Sequence, residues 1–187
     1  MTLEIAYFPP IEYFAVLARY SSVYVNASGN YQKQSYRNRC RILGSNGPLD
    51  LRFPIVHDAC REITRVKVDY STPWLRQSKY AIDSAYYSSP FFEYYRDSLF
   101  EILDRKPETL WELDMLLIRY FCSKIGLREP LPCTNPSEES LDIHPKHPSE
   151  YRCREYCQVF SQKTGFVPNL SVMDLLFNEG PESICYL

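Results

Sequence analysis

The stretch "LEIAYFPPIEYFAVLARYSSVYVNA" (residues 3–27) decides the fold. Leu3 to Phe8 form an apolar run that stops at Pro9-Pro10, which reads as a short strand closed by a turn. Ile11, Phe14, Leu17 and Ala18 then recur at helical spacing over 11–20, with Pro10 suited to a first helical turn. "SVYVNA" (22–27) reads as a second strand. A strand, a helix and another strand in that order predict an α/β fold.

Beyond this opening, "LDLRFPI" (49–55) and "EITRVKVDY" (62–70) are strand-like. The latter puts Thr64, Val66 and Val68 on one face and Arg65, Lys67 and Asp69 on the other. Helices follow. Ser71 or Thr72 caps a segment with Pro73 near its first turn and Leu75, Ser78, Ile82, Ala85 and Tyr86 on one face. "FFEYYRDSLFEIL" (91–103) restarts a helix after Pro90, and Thr109 with Glu112 forms a capping box for a third that ends at Gly126. Residues 128–150 are rich in Pro and Ser and read as a long loop. Near the end, Ser171 caps a short helix that stops around Asn178 to Gly180.

At 187 residues with 45% hydrophobic and 24% charged side chains, the composition is that of one globular domain spanning 1–187. We expect a small mixed sheet, Rossmann-like in its opening, with helices packed on it. The net charge of -2 supplies no global field for nucleic acid, which argues against that partner class. The sequence contains neither a run long enough for a membrane span nor the pattern of a signal peptide, so a cytoplasmic location is expected. Seven cysteines, an odd number without an export signal, point to reduced thiols.

One segment stands out chemically. In "KQSYRNRC" (33–40), Lys33, Arg37 and Arg39, followed by Arg41, are interleaved with Tyr36 and Asn38 and contain no acid. Guanidinium forks and an amide suit a phosphate, and tyrosine can stack on a base or a sugar face. His57, following a strand, is the only histidine outside the proline-rich loop and therefore the candidate general base. His144, His147, Cys153 and Cys157 offer metal-type donors, but their order matches no common zinc site, and no metal is assigned. Gly-rich phosphate loops and a nucleophile elbow are absent, which argues against P-loop chemistry and serine hydrolysis. No cofactor follows from the sequence.

Together with "SPFFEYY" (89–95) and "GFVPNLSVMDLLFNEGP" (165–181), the basic segment resembles the WbqC-like family over essentially the whole chain. That resemblance implies a role in bacterial O-antigen or related surface-polysaccharide biosynthesis, with glycyl or acyl transfer to a nucleotide-linked amino sugar as the implied activity. In many relatives the first strand ends in His-Gln-Pro. Here "AYFPPIEYF" keeps Pro10 and Tyr13-Phe14 without the histidine. The "NR" pair is kept as Asn38-Arg39 and "DLLFN" as Asp174 to Asn178, whereas Lys79-Tyr80 stands where relatives carry a further histidine. The resulting expectation is a pocket between residues 31–41 and the end of the last helix. In it Lys33, Tyr7, Tyr36, Arg37, Asn38, Arg39 and Asn178 bind a phosphate-bearing or nucleotide-sugar ligand, and His57 or Glu179 acts as base. The alternative is a non-enzymatic partner that docks other enzymes of a polysaccharide pathway.

Overall fold

The structure, a computed structural model, describes residues 1–57, 60–136, 139–147 and 149–187. The opening folds as its pattern predicts. Strand β1 (Thr2–Leu3) leads into helix α1 (Ile11–Arg19), which buries Ile11, Tyr13, Phe14 and Leu17. Strand β2 (Tyr24–Asn26) then returns parallel to β1, pairing Thr2 with Tyr24 and Leu3 with Val25. This is a strand, a crossover helix and a parallel strand, the unit that defines α/β architecture.

An antiparallel pair, β3 (Arg39–Gly44) and β4 (Gly47–Arg52), stands apart from that sheet. Three helices follow, α2 (Trp74–Tyr86), α3 (Phe92–Asp104) and α4 (Leu110–Ile125). The Thr109 hydroxyl accepts from Glu112 N at 3.2 Å while Glu112 caps the Thr109 N–H, and Gly126 ends α4 at φ 83°. Both signals act within a few residues, which is why the sequence shows them. On α2 the buried residues are Trp74, Ser78, Ile82, Ala85 and Tyr86, nearly the predicted face.

Two segments differ from expectation. Residues 62–70 make isolated bridges rather than a strand, because Arg65 N bonds back to Glu62 O in a turn and Val68 N bonds instead to Glu108 O. The proline-rich loop contributes two short strands, β5 (Leu131–Cys133) and β6 (Ser140–Leu141), which complete a parallel sheet of order β5-β2-β1-β6. A strand of two residues carries no periodicity of its own, and its partners lie far away in sequence. Parallel and antiparallel pairings thus both occur, in two separate sheets.

The C-terminal part is stitched to the beginning. After the short helix α5 (Ser161–Thr164), helix α6 (Val172–Glu179) starts at Ser171, whose hydroxyl accepts from Met173 N. Ser171 N donates to Arg41 O at 2.8 Å, Val172 N to Pro9 O at 2.9 Å and Ile11 N to Leu170 O at 2.9 Å. Phe177 packs edge-on against Tyr86 and Phe92, each at 5.1 Å, while Phe121 of α4 meets Phe8 and Phe14 at 6.0 Å. Each fully buried ring or leucine contributes about 1.5–3 kcal/mol, so this layer dominates stability. Gly180, past the end of α6, has φ 57°, and a Cβ there would lie 2.6 Å from the Phe91 ring. Among the described residues no helix is long and apolar enough to cross a membrane.

Candidate functional site

In a parallel sheet, ligands gather at the carboxyl ends of the strands, beside the strand where chain order reverses. Here that strand is β1, flanked by β2 and β6. Glu4, the first residue past β1, accepts from Asn26 Nδ2 at 2.9 Å on one side and from an Arg37 terminal nitrogen at 2.6 Å on the other. The Arg37 side chain is only 7% exposed, and Gln32 accepts from its other terminal nitrogen at 3.3 Å. Tyr7 N donates to Tyr36 O at 2.8 Å, which pins the basic segment against the end of β1. The chain passes Phe8 at φ 42°, a left-handed conformation disfavoured for a large side chain.

A small cavity opens at this corner, walled by Glu4, Pro10, Tyr13, Tyr36, Arg37 and Asp142 among others. Its enclosed space is about 10 Å³, room for one oxygen-sized occupant. Two of its walls carry buried polar atoms without partners among the described residues, Arg37 Nε and the Tyr13 hydroxyl; Arg39 Nε and His144 Nε2, which do not line it, are likewise buried and unpartnered among the described residues. Such atoms are rare in native interiors, and each calls for a water, a ligand or a chemical role. His144 is buried, and Lys146 N donates to its Nδ1 at 3.2 Å, which puts the proton of the neutral imidazole on Nε2. Burial pushes its pKa below the usual histidine value; Asp142 opposes this, and the charges of His147, Arg39 and Arg37 add to it. Three N–H donors, Arg37 Nε, Arg39 Nε and His144 Nε2, therefore have no acceptor among the described residues.

The other residues of the basic segment divide by function. Lys33 is exposed. Asn38 Nδ2 donates to Phe53 O at 2.8 Å and Phe53 N returns to Asn38 O at 3.2 Å, so this amide clasps the ends of β3 and β4. Arg39 bonds Gln34 O and lies 4.0 Å from Asp50, which also pairs with Arg41 at 2.9 Å and Arg52 at 3.3 Å. Tyr36 is part-buried and its pKa is raised, chiefly by burial.

The remaining candidates stand elsewhere. Tyr7 is fully buried, and burial above all raises its pKa well above the usual phenol value. His57 is exposed near Asp69, whose pKa it helps to lower after the hydrogen bonds from Ser71. The basic segment meets α6 at Ser171, and Asn178 lies roughly 10 Å further along the helix axis. Asn178 Nδ2 bonds Asp174 O at 2.7 Å, and Glu179 accepts from Cys157 N at 3.2 Å. Neither reaches the basic segment through a hydrogen bond or ion pair among the described residues. His144 and His147 stack at 4.7 Å, but no cluster of three or more metal-type ligands occurs among the described residues. The burial of His144, with Nε2 unpartnered among the described residues, was not legible in the sequence. The only trace was the apolar and polar alternation of Leu141, Asp142 and Ile143 ahead of it.

The fold defines an α/β protein in which Glu4 holds the Arg37 guanidinium at the carboxyl edge of the parallel sheet. The sequence model of the WbqC-like protein family matches residues 6–142, and the chain belongs to that family. The match includes the basic segment and Asp142; β1 with Glu4 and the stretch 165–181 lie outside it. No curated protein and no solved structure matches the chain.

Proposed function

We propose that the chain is a transferase of surface-polysaccharide chemistry. In this reading it holds the anionic part of a phosphate-bearing or nucleotide-linked amino sugar at the carboxyl edge of the parallel sheet. Family membership supports the setting. The observation that carries the reading is the set of buried donors without partners among the described residues, Arg37 Nε, Arg39 Nε and His144 Nε2. All three donate and none accepts, which suits a phosphate or carboxylate oxygen and nothing cationic. The cavity walled by Arg37 seats one such oxygen, and the rest of the ligand lies over its mouth, beside Tyr36.

Glycyl or acyl transfer to the sugar amine needs a group to take the ammonium proton before the nitrogen attacks the acyl carbon and the leaving group departs. Glu4 is committed to Arg37 and Asn26. Asp142 lines the same cavity and is exposed, so it takes the proton in this scheme. His57 and Glu179, the sequence's candidates, would serve only a ligand extending to their elements.

The test is binding of uridine diphosphate and UDP-N-acetylglucosamine, read by thermal shift and calorimetry in the wild type, Arg39→Gln and His144→Phe. The expected result is stabilisation of the wild type that both variants lose at least in part. Unchanged affinity in Arg39→Gln, with its circular dichroism intact, removes the anion role.

A further inference from the structure

Two hollows lie away from the sheet edge, on the outer face of α2. An open groove of about 590 Å³ runs between this helix and the turn after α3, lined by Tyr70, Arg76, Lys79, Tyr80, Asp104 and Lys106 among others. A further depression of about 370 Å³ lies against Pro73, Arg76, Gln77 and Tyr80. Tyr80 thus lines both hollows, and it is 75% exposed.

The walls are braced. Lys79 pairs with Asp104 and lies 5.1 Å from the centre of the Phe100 ring; Arg96 grips Asp83 at 2.6 Å and covers the same ring at 4.9 Å. These pairs tie α2 to α3, so the groove does not depend on a ligand for its shape. Within it, Arg76 and Lys106 have no ion-pair partner among the described residues. Lys106 moreover sits at φ 49° just past the end of α3, a position where glycine is the ordinary choice. Closing the helix does not require a lysine there, and the lysine places an unpaired ammonium on the groove.

We propose that this groove binds an anionic saccharide. The Tyr80 ring offers a flat face for the C–H face of a pyranose, and Asp83, Asp104 and Gln77 offer partners for its hydroxyls. Arg76 and Lys106 supply the charge for a carboxylate or phosphate on the sugar. Two unpaired cations make a neutral saccharide the weaker ligand. This inference stands on residues separate from the cavity at β1 and does not depend on the reading of that cavity.

Calorimetry on the full chain with trigalacturonate, maltotriose and uridine monophosphate tests it. Trigalacturonate is expected to bind, with maltotriose about tenfold weaker and the affinity falling as salt rises. Tyr80→Ala and Arg76→Gln should each weaken trigalacturonate about fivefold, Tyr80→Phe should restore it, and Arg39→Gln should leave it unchanged. All these side chains except Arg39 are exposed, so the variants keep the fold, which circular dichroism verifies. Absence of trigalacturonate binding, or an affinity indifferent to both Tyr80→Ala and Arg76→Gln, overturns the proposal. Tighter binding of uridine monophosphate that Tyr80→Ala abolishes overturns it too, by making the groove a nucleotide site.

Discussion

Arg37 donates to Glu4 at 2.6 Å across the carboxyl edge of the sheet, while the Nε of the same guanidinium, equally enclosed, has no acceptor among the described residues. One side chain is thus half satisfied by the fold and half left over. The satisfied half fixes the basic segment against the end of β1.

That division predicts two separable effects. Arg37→Ala should destabilise the chain by about 2 kcal/mol, below the full cost of breaking a buried pair because Glu4 is partly exposed and rehydrates. The double variant with Glu4→Gln should recover part of the loss. Urea denaturation midpoints measure both; additive losses would show that the pair is not coupled.

Asp174 on α6 gives a pH dependence. Its carboxylate accepts from Tyr156 at 2.6 Å and Gln158 at 3.0 Å, yet burial outweighs these bonds and raises its pKa from 3.8 to about 6. Between about pH 4 and pH 6 the folded chain therefore binds more protons than the unfolded one, and this group's contribution to stability falls as pH rises. The loss, complete above about pH 6, is on the order of 3 kcal/mol. Asp174→Asn should flatten the stability profile across that window, as measured by denaturation at a series of pH values. A profile as steep as that of the wild type would exclude this carboxyl as its source.

Asp114 presents the opposite problem. It is fully buried in α4, both carboxylate oxygens lack partners among the described residues, and burial raises its pKa well above the usual carboxylate range. Asp114→Ala places the best helix former there and removes the stranded group, so it should stabilise by about 1–2 kcal/mol. A lower melting temperature in this variant would show that internal water already serves the carboxyl.

Thiol reactivity should follow burial. Cys40 and Cys122 are buried, and burial raises both pKa values, that of Cys122 to about 12. Cys157 and Cys185 are exposed. Brief iodoacetamide treatment of the native chain should label the latter two and spare the former until denaturant is added, as peptide mass spectrometry reads directly.

What the sequence disclosed was whatever its own neighbours determine. Thr109, Glu112 and Gly126 bound α4 through contacts within one turn, and Ser171 caps α6 in the same way. The segments it misread depend on distant partners. Strand β6 exists because Thr2 and Leu3 lie alongside Ser140 and Leu141, and residues 62–70 turn because Gly29 and Glu108 draw away their backbone bonds. For the site the same division holds. The arginines were visible as a charge cluster, but Glu4 becomes the partner of Arg37 only in three dimensions.

The contact between Gly180 and Phe91 leaves space for a hydrogen atom and no more. Drift at either position is therefore constrained by the other: a methyl group at 180 collides with the ring unless 91 shrinks in the same lineage, and a smaller 91 alone opens a void. We expect the two sites to covary among relatives, with the glycine surviving wherever an aromatic faces it.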